Sequence, residues 1–172
     1  MLFCGRSLEG IGGAVGLTHT FLTSGCSVTV SVVTGVGVMS QTFSFARQFE
    51  AGPSVSSCSL SGINCGELLK YACTIDSQGL VLYGGGCFSG TENSTRFSTV
   101  TGSGTMGFAI LLDITFAQFP SGLGYQPKPP FFPWQANSNY FTWWMLATAG
   151  IPFIPPSLGA VGFGPFRIGV YP

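Results

Sequence analysis

Residues 99–119 read TVTGSGTMGFAILLDITFAQF, and the assignment of this stretch decides the fold. From Met106 to Phe116 every even position is large and apolar (Met106, Phe108, Ile110, Leu112, Ile114, Phe116), while Gly107, Ala109, Leu111, Asp113 and Thr115 fill the odd ones. A period of two sends alternate side chains to opposite faces of an extended chain, so the pattern predicts a β-strand. At about 3.3 Å per residue it would run roughly 36 Å, long for a strand in a small domain.

The same alternation occurs upstream. Val28, Val30, Val32, Val36 and Val38 occupy even positions with Ser27, Thr29, Ser31, Gly35 and Gly37 between them, predicting one long strand over 21–38, or two strands broken near Val33 and Thr34. Beyond Ser40 the apolar set moves to odd positions (Phe43, Phe45, Phe49). A change of phase requires a turn or a bulge, placed here around Met39–Thr42. Thr34–Met39 (TGVGVM) also echoes Thr101–Met106 (TGSGTM), each followed by a Phe-rich run ending in ARQF (46–49) or AQF (117–119). This suggests duplicated halves of a β-sandwich, set against chance similarity in a Gly/Thr/Val background. Between the copies, 50–65 is Ser/Gly-rich loop material, Gly66–Ala72 is the one short-helix candidate, and Gly79–Tyr83 reads as a strand running into Gly84–Gly86.

Nine of the eleven prolines fall between Pro127 and Pro172, and after Asp113 only Lys128 and Arg167 carry charge. Consecutive prolines keep 125–134 extended and without ladder donors. Tyr140–Leu146 supplies a dense aromatic run, and 163–171 reads as a last short strand. Aromatic side chains of this kind fill cores and also dominate subunit interfaces. Trp134, Tyr140, Phe141, Trp143 and Trp144 are therefore the candidate assembly-interface residues, with a proline-bent part of the core as the other reading of the same segment.

Composition bounds the function classes. Only 7% of the 172 residues are charged, the six basic residues are scattered, and six acids cancel them. Without a basic stripe, the phosphate-neutralising attraction that dominates nucleic-acid affinity is missing, so nucleic acid is not an expected partner. A sparsely charged, neutral surface favours association. The N-terminal MLFCGRSLEGIGGAVGLTHTF lacks a basic start followed by an unbroken apolar run, so synthesis in a cytoplasm is expected. Asp113 and the prolines at 152, 155 and 156 interrupt the long apolar windows, so no membrane-spanning helix is expected. Alternation with aromatics is also the signature of a transmembrane barrel, against which the missing export signal weighs.

The residues of catalysis are scarce. His19 is the single histidine, set among threonines, and no GxSxG elbow occurs. The GIGGAVG run (10–16) places Val15 where a dinucleotide fingerprint needs its third glycine. The acids Glu9, Glu50, Glu67, Asp76, Glu92 and Asp113 include no pair marked by its setting, and Asp113 is expected to be solvated or paired at an interface. The six cysteines contain no CxxC, so zinc and redox motifs find no support. They read as buried apolar groups in a reducing compartment, or as disulfides among Cys58, Cys65, Cys73 and Cys87 if the assembled protein works outside a cell. Asn93-Ser94-Thr95 has the form of a glycosylation acceptor but reads as a turn.

Together these features predict an all-β protein, an antiparallel β-sandwich or jelly-roll-like barrel. It would comprise a Gly-rich arm (1–20), a core (21–124) and a Pro/aromatic-rich C-terminal segment (125–172) packed on the core or a neighbour. The expected function is non-enzymatic, with no catalytic residues, metal or cofactor. A self-assembling structural protein of a virus or phage particle (capsid, decoration or tail component) fits best, its partners being its own copies and other structural proteins. A subunit of an extracellular filament, tube or surface layer is the second expectation. A carbohydrate-binding β module, with tryptophans as sugar platforms, is the third.

Overall fold

The computed structural model describes residues 2–7, 18–55, 65–76, 81–85, 87, 94–99, 105–126, 135–153 and 164. Six strands form one antiparallel sheet: β1 (Leu2–Ser7), β2 (Thr18–Thr34), β3 (Gly37–Pro53), β4 (Leu68–Asp76), β5 (Val81–Tyr83) and β6 (Ser94–Thr99), in the order β5-β4-β3-β2-β1-β6. Helices α1 (Thr105–Gln118) and α2 (Ser138–Thr148) pack on it, and β7 (Gly124–Tyr125) pairs with β8 (Gln135–Ala136) in a short parallel ladder. The protein is predominantly β, its strands mostly antiparallel, with two short helices.

The 106–116 alternation does not make a strand. Within α1 the buried positions are Ala109, Leu112 and Thr115, followed by Phe119 just past its end, while Gly107, Ile110, Ile114 and Ala117 face outward. That spacing is three to four residues, as a helix requires. The even-numbered apolar set is therefore split, with Leu112 inward and Ile110 and Ile114 outward. The stretch is apolar on nearly every side, so periods of 2 and 3.6 fit it about equally. Ala109, Leu111, Leu112 and Ala117 are strong helix formers, and a helix satisfies its own backbone without a neighbouring strand.

The short-helix candidate at 66–72 lies instead in β4 from Leu68 onward, where Leu68, Lys70, Ala72 and Thr74 pair with Pro53, Ala51, Phe49 and Arg47. Long-range pairing with β3 outweighs the local propensity of Glu-Leu-Leu-Lys. Leu2–Ser7, read as part of a glycine-rich arm, forms β1 between β2 and β6. The strand expected over 79–83 is β5, ending at Gly84. The prolines at 127, 129, 130 and 133, the 163–171 segment apart from Gly164, and Asn93 lie outside the described residues.

The break expected between the upstream alternations is a two-residue hairpin turn, Gly35-Val36, three residues before the predicted place. Thr34 Oγ1 donates to the Gly37 carbonyl at 2.8 Å, and Gly37 takes φ 139°, which a β-carbon would strain. Partners across this turn share a face and have numbers of opposite parity, as in Val32↔Met39 and Leu22↔Phe49. The hairpin thus accounts for the phase change without a bulge. The TGxGxM echo carries no structural duplication, because the first copy forms this turn and the second ends in the opening residues of α1.

The helices cover one face of the sheet. Leu22, Phe49, Ala51 and Leu68 meet Leu112, Phe119, Tyr140, Phe141, Trp144 and Met145 in one core, where Phe119 lies 4.9 Å from Phe141 and 5.1 Å from Trp144, both edge-on. Asn137 caps α2, its side chain accepting from the Tyr140 N–H at 2.8 Å. At the other end Gly150 takes φ 64° while Ile151 N–H reaches the Leu146 carbonyl at 3.0 Å. Asn139 Oδ1 accepts from both the N–H and the hydroxyl of Thr20 at 2.9 Å, tying α2 to β2. On the opposite face Phe21, Thr23, Gln48, Glu50, Cys73 and Ile75 are also buried, and Cys73 is disulfide-bonded to Cys87. Cys65 is disulfide-bonded as well.

Candidate assembly interface

Strands β2 and β3 are each 17 residues long, well above the usual length, and most of the surplus lies outside the sheet. β1 pairs with β2 only over Thr18–Thr23, and β4 pairs with β3 only from Phe45 onward. Eight pairs, Ser27↔Ser44 to Thr34↔Gly37, therefore lie beyond the ladders of β1 and β4. They form a two-stranded ribbon about 26 Å long that neither β1 nor β4 flanks. An isolated ribbon of this size is marginal in water and gains most from a third strand or an apolar cover.

Its chemistry is regular. The register alternates Ser27↔Ser44, Thr29↔Thr42 and Ser31↔Ser40 with Val28↔Phe43, Val30↔Gln41 and Val32↔Met39. The hydroxyls of Ser31 and Ser40 are 2.7 Å apart. Towards the apex the apolar character extends to both sides, with Val33 81% and Val36 97% exposed and Val38 and Met39 mostly so. Between Glu9 and Arg47 there is no acidic or basic side chain except His19. Protruding apolar side chains without interspersed charge mark interaction surfaces.

A second uncharged surface is the outer side of α1, where Ile110 and Ile114 are about half exposed. The single charge of that helix, Asp113, is taken up within the protomer: Arg47 Nη2 donates to its Oδ1 at 2.5 Å. Arg47 also donates to Thr74 Oγ1 at 3.1 Å and lies over the Phe49 ring at 5.6 Å. Asp113, expected to be solvated or interface-paired, keeps much of its side chain in solvent and pairs within the chain with Arg47. Lys70 caps the C-terminal end of α1, its ammonium donating to the Phe116 and Phe119 carbonyls at 2.7 and 2.8 Å and lying 4.8 Å from the Phe116 ring. Burial lowers its pKa below the ordinary lysine value.

The aromatic residues singled out as an interface are placed otherwise. Tyr140, Phe141 and Trp144 are buried in the protomer's own core, as the core reading of that segment requires. Trp143 is half buried beside Tyr140, 5.7 Å between rings, and is the member a neighbour can still touch; Trp134 lies outside the described residues. Residues 31–42 of the ribbon, exposed except for half-buried Thr34, escaped sequence reasoning as an interface because a period of two says that one face is covered and is silent on whether anything covers it.

The acids do not converge on a reaction centre among the described residues. Glu50 is buried and accepts from Gln48 Nε2 at 2.8 Å, Glu67 is exposed, and Asp113 is paired with Arg47. His19 is buried on β2. Among the described residues no three His, Cys, Asp or Glu side chains are grouped to hold a metal, and no helix is long and apolar enough to cross a membrane. Comparison with protein-family models, curated proteins and solved structures gave no match.

Proposed function

We propose that this protein is a non-enzymatic structural subunit that assembles with its own copies, as a component of a virus or phage particle or of an extracellular filament, tube or surface layer. The observation that carries this reading is the exposed end of the β2–β3 ribbon, residues 31–42, with its apolar apex. A monomer would hold the exposed end of this two-stranded ribbon in water with little to stabilise it, whereas a neighbour supplies cover. The low overall charge and the uncharged outer side of α1 point the same way. Burial of Phe21, Gln48, Glu50 and Ile75 on the face away from the helices supports a second layer there, as a sandwich or jelly-roll arrangement would provide.

The Cys73–Cys87 bond favours a working place outside the reducing interior of a cell, which suits the extracellular assembly and also a released particle. The carbohydrate-binding reading gains nothing from Trp144, whose ring is stacked edge-on against Phe119 inside the core. Size-exclusion chromatography with light scattering, followed by negative-stain imaging with and without reductant, tests the proposal. Rings, shells or filaments are expected; a stable monomer of about 18 kDa across the micromolar range would end it.

A further inference from the structure

From the register of the ribbon we infer that its occupant is the same ribbon of a second copy, joined edge to edge through β2 in an antiparallel pair with Val30 facing its own counterpart. This rests on the self-assembly reading and deepens it by naming the contact.

The open edge of β2 beyond Thr23 has no strand beside it among the described residues. In an antiparallel ladder, residues alternate between pairs that exchange backbone hydrogen bonds and pairs that do not. The loop between Thr34 and Gly37 has two residues, and such a loop is closed by a bonded pair. Counting back, Val33, Ser31, Thr29 and Ser27 are the residues that turn their N–H and C=O groups away from β3. The close Ser31–Ser40 hydroxyl contact fits this phase, because side chains approach most in the pairs without backbone bonds. Among the described residues no strand takes up these groups, so every second residue of this edge can offer a donor and an acceptor to a further strand.

Natural edges are blunted by Lys, Pro, a bulge or a charge, and Ser27–Thr34 (SVTVSVVT) contains none of these and pairs with β3 without a shift of register. The edge is also complementary to itself. With Val30 on the two-fold axis, Thr29 meets the second copy's Ser31, Val28 meets Val32, and Ser27 meets Val33. Two of these three matches keep hydroxyl with hydroxyl and valine with valine, and the third falls at the apex, where Val33 departs from the alternation; an axis one residue earlier, on Thr29, keeps the alternation over 27–31 but sets Gly25 and Cys26, beside the end of the β1 ladder, against the apex. Moving the axis by half a residue would set every hydroxyl but the outermost against a valine. A strand from an unrelated protein would have to reproduce this order by chance, while a second copy has it by construction. Lack of charge on either edge removes the repulsion that keeps most like edges apart.

The test uses the full chain. Thr29→Lys with Ser31→Lys places like charges opposite one another across the proposed two-fold, and Thr29→Glu with Ser31→Glu does so with the other sign. Light scattering at graded concentrations should show each double variant at half the wild-type mass or less, with dissociation at least about tenfold easier. Mixing the two should restore the wild-type mass, because Lys then meets Glu. An unchanged circular dichroism spectrum and thermal transition would confirm that the body is folded, which is expected because Thr29 and Ser31 lie outside the β1 and β4 ladders.

Retention of the oligomer by the Lys variant, or no recombination on mixing, would overturn the edge pairing and leave self-assembly standing through another surface. A monomeric wild type would overturn both. Association appearing only with phosphatidylcholine vesicles would assign the ribbon to a lipid surface and overturn the second copy as its occupant.

Discussion

Single side chains hold the helices to the sheet, and their removal has calculable consequences. Asn137 both ends the connection from β8 and accepts the Tyr140 N–H, so Asn137→Ala should destabilise the protein by about 1 kcal/mol in urea unfolding. Tyr125 titrates above the ordinary tyrosine value because burial disfavours the phenolate, with a Ser138 hydrogen bond opposing that shift. Between about pH 10 and its raised value the folded chain keeps a proton that the unfolded chain has lost, so stability falls there as pH rises. Tyr125→Phe should flatten this loss, read as urea midpoints between about pH 9 and 11. Lys70 acts with opposite sign. Its lowered pKa lets the folded state shed a proton that the unfolded state holds until about pH 10.5, so its contribution to stability rises with pH across that window.

At the scale of elements, the cross-link and the hairpin are the informative cases. The Cys73–Cys87 bond joins β4 to a residue 14 positions on, a closure worth about 3 kcal/mol in the chain-entropy account. Replacing both cysteines by serine should lower stability by about that amount in urea unfolding under non-reducing conditions. The β2–β3 hairpin was only partly legible in the sequence: the Val/Ser alternation and the parity change in 28–45 called for a turn, but Gly35 and Gly37 read as strand positions and the turn was placed at Met39–Thr42. Helix α1 was not. Its alternation arose from where Gly107 and Ala109 happen to fall among large apolar residues, and only the packing of Leu112 and Thr115 against the sheet distinguishes the two periods. The identity of the core aromatics was legible, since Tyr140, Phe141 and Trp144 read equally as core. Their choice over an interface depends on Phe119, which comes from a different element. The bare ribbon could not be read at all, because its state depends on how far β1 and β4 extend alongside it.

For the whole molecule, local and distant contacts are unevenly distributed. Hydrogen exchange in dilute protomer should be faster over 27–44 than over 45–53, where β4 backs β3; equal protection would show the ribbon already covered within one chain. The body closes through long separations, such as the 119 residues between Thr20 and Asn139 and the 66 between Arg47 and Asp113. The ribbon closes through the shortest, down to the three between Thr34 and Gly37. Short closures form early and distant ones late. On a ribosome, 18–53 emerges before either helix has been made, so under the proposed assembly the ribbon is ready to join another copy while its own chain is still incomplete. Neighbouring nascent chains on one message would then meet through their ribbons first, and the yield of correctly built protomers would fall as translation becomes more crowded.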